Sequence, residues 1–301
     1  MAGRVAITGA TGFIGRALAR ALAADGKTVV PVVRRRTAAG QVVWDPAQGD
    51  IDAEALRGVD AVVHLAGESL AGGRWTTDRK RTIRESRLLG TRLMAETLAG
   101  LRPPPAVLVS ASAIGIYGDR GDEILTEASP MGQGFLPEVG RAWETAAGAA
   151  AAAGIRVVHP RFGIVLDPAG GALAEMLPFF RLGLGGRLGS GRQWMSWLTR
   201  DEAVAIIRFA IATESLSGPL NAVTPNPVVN AEFARTLGAA LRRPARLPVP
   251  AFALRLRFGE MADAALLASH RGLPAALQAV GYPFRHPDLA EALRHVLRPS
   301  A

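Results

Sequence analysis

Residues 4–22 read RVAITGATGFIGRALARAL, and this stretch decides the fold class. An apolar run ends at Thr8, glycines follow at positions 9, 12 and 15, and apolar residues with helical spacing come next. Glycine lets the backbone turn sharply and approach a phosphate, and the free N–H groups at a helix start favour an anion. The stretch therefore predicts a strand, a phosphate-binding turn and a helix, the beginning of a dinucleotide-binding unit. An ordinary strand-to-helix turn is the alternative.

The composition is that of a folded protein with a large apolar core. The chain has 301 residues, of which 49% are hydrophobic, and it has no cysteine. Disulfide and thiolate chemistry are therefore excluded, and we expect a reducing, cytoplasmic location. No apolar run is long enough for a membrane span. The net charge of +9 comes mainly from arginines scattered along the chain without interleaved aromatic residues, so nucleic acid is not an expected partner.

Strand-like and helix-like segments alternate through most of the chain. Strand-like runs cover 28–33, 60–67, 106–112, 155–162 and 219–224, and helical spacing covers 12–25, 76–100 and 137–153. This alternation predicts an α/β fold with a doubly wound parallel sheet, the Rossmann architecture. Segments rich in Gly and Pro predict a smaller, mostly helical C-terminal cap domain. We expect the Rossmann domain over 1–166, with 193–224 returning to it, and a substrate-binding cap over 167–192 and 225–301.

The end of the second predicted strand indicates which dinucleotide the fold prefers. NAD-binding folds usually have an acid there for the ribose hydroxyl, whereas NADP-binding folds have arginine. No acid occurs between Asp25 and Asp45, and Arg34, Arg35 and Arg36 follow the strand. Guanidinium groups match phosphate geometry, so the segment predicts NADP(H), with Arg34 first and Arg35 second as ligands of the phosphate. A solvated strand end is the alternative.

Several short motifs occur in a fixed order and carry a family resemblance. They are TGATGFIG (8–15), DAVVHLAG (60–67), SASAIGIYGD (110–119), FLPEVGRAWE (135–144) and RGLPAALQAVGYPF (271–284). The first three resemble the extended short-chain dehydrogenase/reductases, and the whole set resembles the branch labelled "epimerase family protein". The resemblance implies an NADP-binding Rossmann domain and a C-terminal cap that holds the substrate.

The chain departs from that family at its catalytic base. The family implies a Tyr followed four residues later by a Lys, but the only tyrosines are Tyr117 and Tyr282, with glycine and histidine four residues on. Both lysines, Lys27 and Lys80, lie upstream of the strand that should precede such a pair. The candidate catalytic residues are therefore Ser112, which fits the family's strand-end hydroxyl, and Tyr117, Glu138 and Arg141. Glu138 is either a proton acceptor or an ion-pair partner of Arg141, and we favour the ion pair. Tyr117 either lines the cleft or packs as a loop aromatic.

Other candidate ligands follow from position in the motifs. His64 is expected to be a core histidine, and no cluster of His, Asp and Glu has metal-ligand spacing. For substrate we expect Arg87 as an anion-binding charge, with Arg192, Trp194 and Trp197, although the tryptophans also fit a cap core. The expected cofactor-binding residues are Gly9, Thr11, Gly12, Phe13, Ile14, Gly15, Arg34, Arg35, Asp45, Leu65, Ala66, Gly67, Pro160 and Arg161.

Two hypotheses of function remain. The first is an NADP-dependent oxidoreductase or nucleotide-sugar epimerase-like enzyme that acts on a small anionic or nucleotide-linked substrate with an atypical active site. The second is a non-catalytic NADPH-binding regulatory module. The retained cap favours the enzyme, and the missing Tyr–Lys pair favours the module. A small-molecule substrate is the expected partner, with no membrane, and a homodimer is left open.

Overall fold

The computed structural model describes residues 3–71 and 73–298. Its strands, in chain order, are β1 (Arg4–Thr8), β2 (Thr28–Val33), β3 (Val42–Asp45), β4 (Asp50–Ile51), β5 (Ala61–His64), β6 (Val107–Ser110), β7 (Ser112–Ala113), β8 (Ile124–Leu125), β9 (Arg156–Phe162), β10 (Ile164–Leu166), β11 (Trp194–Met195), β12 (Trp197–Thr199), β13 (Gly218–Ala222), β14 (Val228–Val229) and β15 (Arg271–Gly272).

The α-helices are α1 (Phe13–Ala24), α2 (Thr77–Gly100), α3 (Phe135–Thr145), α4 (Gly148–Ala152), α5 (Gly171–Arg181), α6 (Arg200–Ala212), α7 (Asn230–Ala240), α8 (Ala251–Phe258), α9 (Ala275–Ala279) and α10 (Leu289–Val296). None of the helices in the described ranges is long and apolar enough to cross a membrane.

The central sheet has the order β13-β9-β6-β5-β1-β2-β3-β4, with β7 beside β9. All its pairs are parallel except β3 with β4. The order runs outward in both directions from β1, which makes the sheet doubly wound, and the predicted fold class is confirmed. The carboxyl ends of its parallel strands share one edge, where open α/β sheets bind their ligands.

The core lies on both faces of this sheet. Side chains alternate along β1, so Val5 and Ile7 join one apolar cluster with residues of α1 and α6, while Ala6 joins a second cluster with residues of α2. Strands that are covered on both faces read as continuous apolar runs, which is why these segments could be recognised from the sequence.

Two parts of the chain differ from the predicted elements. The predicted helix over 137–153 is two helices, α3 and α4, and the second begins at Gly148, whose low helix propensity does not support a continuous helix. The β3–β4 hairpin was not predicted, because its strands are only four and two residues long.

The C-terminal segment packs against the main sheet as well as against its own helices. Leu277 and Tyr282 belong to the cluster that holds β1 and α6, whereas Leu289 and Leu293 of α10 belong to another cluster with α5 and α7. The division into a Rossmann domain and a cap at the boundaries given above stays a prediction.

Candidate functional site

The turn between β1 and α1 is held by close backbone packing. Gly9 has a φ of +67°, and a β-carbon there would lie 3.2 Å from the backbone nitrogen of Ala66. A β-carbon at Gly15 would lie 2.1 Å from the carbonyl oxygen of Gly9. Both positions therefore require glycine for the turn to pack. Gly12 is different, because it is exposed and a β-carbon there meets only the Gly9 oxygen, at 3.1 Å.

The first turn of α1 is open to an anion. Its N-cap residue, Gly12, offers no side-chain hydrogen bond, and no acid occurs in the first turn. Thr11 and Gly12 are exposed, while Phe13 and Ile14 are half-buried. The N–H groups at a helix start carry partial positive charge and need an external acceptor, so this turn fits a phosphate.

The segment after β5 lies against the turn because of one hydroxyl group. Thr8 Oγ1 accepts hydrogen bonds from the backbone N–H groups of Leu65 (3.0 Å) and Ala66 (3.1 Å). Its own proton is therefore donated to His64 Nδ1, 2.8 Å away. Gly67 follows as an exposed residue. Sequence reasoning missed Thr8, although a threonine that ends a buried strand just before a glycine turn was a usable signal.

His64 belongs to the core, as expected. It is fully buried and meets the Trp44 ring edge-on at 5.7 Å between centroids. Burial lowers the pKa of His64 to about 4, so the ring is uncharged at neutral pH.

The three consecutive arginines differ in their partners. Arg36 is bonded to Asp52 at 3.0 Å. Arg34 and Arg35 are exposed, and within the described part of the chain neither forms a salt bridge. They follow β2, which pairs with β1, so they come at the same sheet edge as the Gly9 turn. Asp45, at the end of β3, accepts a hydrogen bond from the Ala47 N–H at 3.0 Å and thereby caps its own turn.

A cleft of about 330 Å³ lies beside this sheet edge. Its walls come from several parts of the chain, which include Leu70, Arg87, residues 113–116, residues on one face of α3, 162–164, Trp194, Met195, 264–266, Ala268 and His270. Of the four predicted substrate residues, Arg87 and Trp194 line it. Arg192 is exposed outside it, and Trp197 is fully buried in the core, which agrees with the alternative of a cap aromatic.

The cleft side of α3 carries no acid or base. Leu136 and Gly140, four residues apart, line the cleft together with Trp143. A β-carbon at Gly140 would lie 2.9 Å from Ile116 Cγ1, so no larger residue fits there without a shift. Leu136 and Gly140 have the four-residue spacing of a Tyr–Lys pair, but they bring only an aliphatic side chain and a hydrogen to the cleft.

Glu138 and Arg141 lie on the opposite, exposed side of α3, where they line a surface groove with α2. The expected ion pair between them is not formed. Instead Arg141 Nη2 donates to the Gly132 carbonyl at 3.3 Å. Successive helix positions are rotated by about 100°, so the residue after Gly140 points away from the cleft. Neither side chain is therefore brought to the candidate site.

Ser112 and Tyr117 belong to one buried network. Ser112 Oγ donates to Glu144 Oε1 at 2.7 Å, and Arg161 makes a paired contact to both oxygens of Glu144 at 2.8 Å. Arg161 Nη1 also donates to the Tyr117 hydroxyl at 2.7 Å. That hydroxyl lies 2.9 Å from the Thr126 carbonyl and 2.9 Å from Asn221 Oδ1.

This network is structural rather than open to the cleft. Tyr117 has no exposed surface, and Arg161 is 2% exposed. Burial raises the pKa of the Tyr117 phenol, an effect that the Arg161 guanidinium only partly offsets. Burial opposes the charge of Arg161, but bonds to Glu144 outweigh it and raise the Arg161 pKa. Arg161 and the neighbouring buried Pro160 thus stand inside β9 rather than at an open cofactor surface.

Sequence reasoning also missed Glu144, although a signal existed. An arginine inside a buried strand needs an acid partner. Glu144 lies in FLPEVGRAWE, three residues beyond Arg141, and supplies that partner.

Two polar groups of the cleft stand out. Arg87 lies with its Cζ 4.9 Å from the Trp143 ring centroid, and burial lowers the pKa of Arg87 to about 10. Burial lowers the pKa of His270 to about 4, so this second group is an uncharged imidazole at neutral pH. His270 was not among the predicted site residues, because its position next to β15 gives no motif. In the described ranges no group of three or more acidic or histidine side chains could hold a metal ion.

Comparison with known proteins finds matches whose fold agrees with the sheet and the glycine turn described above. A model of the NAD dependent epimerase/dehydratase family matches residues 5–136, and a model of a domain of unknown function, DUF1731, matches residues 249–296. The epimerase family protein Mb2239 of Mycobacterium bovis is 45% identical over 290 residues, which cover 96% of each chain.

A solved relative has the same architecture over its whole length. The crystal structure of human epimerase family protein SDR39U1 with NADPH superposes with a TM-score of 0.89 at 35% identity, covering 97% of this chain and 98% of that one. Together with the sheet order and the glycine turn, these matches establish the family. The chain belongs to the epimerase family proteins, a branch of the extended short-chain dehydrogenase/reductases that carries a DUF1731 module.

Proposed function

We propose that the chain binds NADP(H) at the carboxyl edge of its central sheet. The uncapped first turn of α1 would hold the pyrophosphate, and Arg34 with Arg35 would hold the 2′-phosphate. These residues fit the group, because the turn has no acid and the two arginines have no carboxylate partner among the described residues. The NADPH bound to the human relative supports this assignment.

Of the other predicted cofactor residues, the segment 65–67 packs against the glycine turn and remains part of the proposal. Leu65 and Ala66 are half-buried and Gly67 is exposed. Asp45 stays a candidate at the adenine end. Arg161 and Pro160 would act only through the shape of β9, because both are buried.

We further propose that the chain is an enzyme of the oxidoreductase or epimerase-like type. NADP(H), when bound, supplies or accepts a hydride. The single observation that carries the proposal is the mostly apolar cleft at the same sheet edge, of a size that suits a small molecule. In it, Arg87 would orient an anionic group and the apolar walls would exclude water. The predicted cytoplasmic location and the open question of a homodimer stay predictions from sequence.

A regulatory NADPH-binding module is the second candidate. The observation that favours it is the pair Leu136 and Gly140, which leaves the cleft side of α3 without a proton donor or acceptor. Such a protein would bind the nucleotide and change its stability or surface without turning over a substrate.

Turnover of the bound nucleotide separates the two candidates. The purified chain is mixed with NADPH and a panel of aldehydes, ketones and nucleotide sugars, and loss of the reduced nicotinamide absorbance is followed. We expect oxidation with at least one carbonyl compound, and none with the Gly12→Val variant, in which a side chain fills the phosphate turn. Tight NADPH binding with no oxidation across the panel would favour the module, and no NADPH binding would reject both candidates.

A further inference from the structure

The cleft wall is mostly apolar. Apart from its tryptophans, four of its lining residues have polar or charged side chains: Arg87, Ser196, Asn230 and His270. Two of these are already bonded within the protein. Ser196 Oγ donates to the His270 carbonyl at 2.7 Å and accepts from the Gly272 N–H at 2.8 Å. Asn230 Oδ1 accepts from the Leu188 N–H at 2.7 Å, and its Nδ2 contacts Met195 Sδ.

The remaining polar side chains are Arg87 and His270. Arg87 Nη1 donates to the Ile83 carbonyl at 3.0 Å, and its Nε and Nη2 have no partner among the described residues. The nearby Glu68 forms its salt bridge with Arg79 at 2.9 Å rather than with Arg87, although its charge still acts on the Arg87 guanidinium. The free Nε–Nη2 edge of a guanidinium matches the two oxygens of a carboxylate.

His270 is the second unpaired group. Its side chain is buried, and neither ring nitrogen forms a hydrogen bond to a residue in the described ranges. Trp143 Nε1, on the cleft wall beside Arg87, is also buried without an acceptor. His270 Nε2 and Trp143 Nε1 have almost no accessible surface, as has the unpaired core nitrogen His64 Nε2, so they do not by themselves indicate a ligand. The free edge of Arg87 is the polar group that the cleft offers.

This wall fits a sugar poorly. A pyranose carries several hydroxyl groups, and each loses its hydrogen bonds with water when it enters a cleft that offers no partner. An apolar body gains free energy from the same walls, and it requires only as many polar atoms as the cleft can pair.

We propose that the cleft takes a small compound with an apolar body and one carboxylate, rather than a nucleotide sugar, with the carboxylate on Arg87. This inference rests on the proposed enzymatic function, of which it specifies the substrate class. The carboxylate would meet the Nε–Nη2 edge of the guanidinium that Trp143 supports, and the apolar body would contact Leu136, Ile114 and Met176.

Matched probes test the proposal by calorimetric titration. The probes are phenylacetate, 3-phenylpropionate and 4-phenylbutanoate, each beside its neutral amide, and UDP-glucose. We expect at least one carboxylate to bind about tenfold or more tightly than its amide and than UDP-glucose, since a charge-assisted bond replaces a neutral one. Arg87→Met should remove the preference for carboxylate over amide. Arg84→Met, a change of an exposed arginine on the same helix outside the cleft, should leave it intact.

Three further measurements make the outcome decisive. Arg87→Lys should keep part of the preference if the charge matters, and circular dichroism reports whether Arg87→Met is folded. Each titration is run with and without NADPH, so a failure to bind the nucleotide is separated from a failure of the substrate class. Equal binding of carboxylate and amide, binding of neither, or tighter binding of UDP-glucose would overturn the proposal.

Discussion

At the scale of single residues, the buried network around Arg161 leads us to expect no catalytic role for Tyr117. The phenol accepts a hydrogen bond from a guanidinium that is itself held by Glu144, and it does not line the cleft. A tyrosine base needs a nearby lysine or an open path to the substrate, and Tyr117 has neither.

Replacing Tyr117 by Phe should therefore affect stability more than catalysis. The free energy of unfolding should fall by about 1–3 kcal/mol, because Arg161 Nη1 loses its acceptor. Turnover, measured on the substrate that the panel identifies, should change by less than about tenfold. Urea unfolding and steady-state kinetics measure the two effects. A loss of turnover beyond about a hundredfold with unchanged stability would make Tyr117 the catalytic residue.

Arg34 should determine the choice between nucleotides. Arg34→Ala should weaken NADPH binding by about 1–3 kcal/mol and leave NADH binding unchanged, because only NADPH carries the 2′-phosphate. Arg36→Ala is the control, since Arg36 is already paired with Asp52. Fluorescence titration with both nucleotides measures the effect. Equal losses for NADPH and NADH, or a loss confined to Arg36→Ala, would contradict the assignment.

His64 should make the fold sensitive to acid. Its pKa is about 4 in the folded chain and about 6.5 in an unfolded one, so only the unfolded chain takes up the proton between these values. The contribution of His64 to the free energy of unfolding is fully present above about pH 6.5, and it falls by up to about 3 kcal/mol as the pH drops to about 4.

The matched variants for this effect are His64→Gln and His295→Gln. Urea unfolding at several pH values should show a shallower acid loss for His64→Gln than for wild type. His295→Gln, at a partly exposed side chain, is the control for a histidine-to-glutamine change outside the core. Identical slopes for wild type and His64→Gln would show that the buried imidazole is not the cause.

At the scale of elements, the β1–α1 turn contains one glycine that packing requires, Gly15, and one that we expect the ligand to require, Gly12. Gly15→Ala should lower the free energy of unfolding, since its β-carbon would lie 2.1 Å from the Gly9 oxygen. Gly12→Val should abolish NADPH binding with a smaller loss of stability, because Gly12 is exposed at the helix start. Thermal unfolding and nucleotide titration of both variants provide the comparison. The reverse pattern would mean that the opening stretch is an ordinary turn.

The secondary-structure elements differ in how well the sequence predicts them. Strand β2 is found over its predicted range, and the glycine turn follows from residue types alone. The orientation of α3, in contrast, does not follow from residue types. Its motif contains neither Tyr nor Lys to mark the cleft side, and an error of one position turns a helix by about 100°. Arg141 was therefore proposed as a site residue, whereas the structure has Arg141 on the exposed side of α3 and its neighbour Gly140 at the cleft.

At the scale of the whole molecule, the cleft depends on contacts between distant parts of the chain. Residues 264–266, Ala268 and His270 line it together with Arg87 and one face of α3. Such contacts have no local signal in sequence, which is why His270 and Glu144 were not assigned roles. The sheet, in contrast, is encoded locally by apolar runs and by the spacing of turns, so its parallel, doubly wound character and the expected cofactor edge could be predicted.

The central claim is that this chain binds NADP(H) at the glycine turn and prefers it to NAD(H). The most direct test is calorimetric titration of the wild-type chain with NADPH and, separately, with NADH. The account predicts one NADPH per chain, bound at least about tenfold more tightly than NADH, because Arg34 and Arg35 replace the acid that would bind an unphosphorylated ribose. Equal affinities for the two nucleotides, or no binding of NADPH, would contradict it.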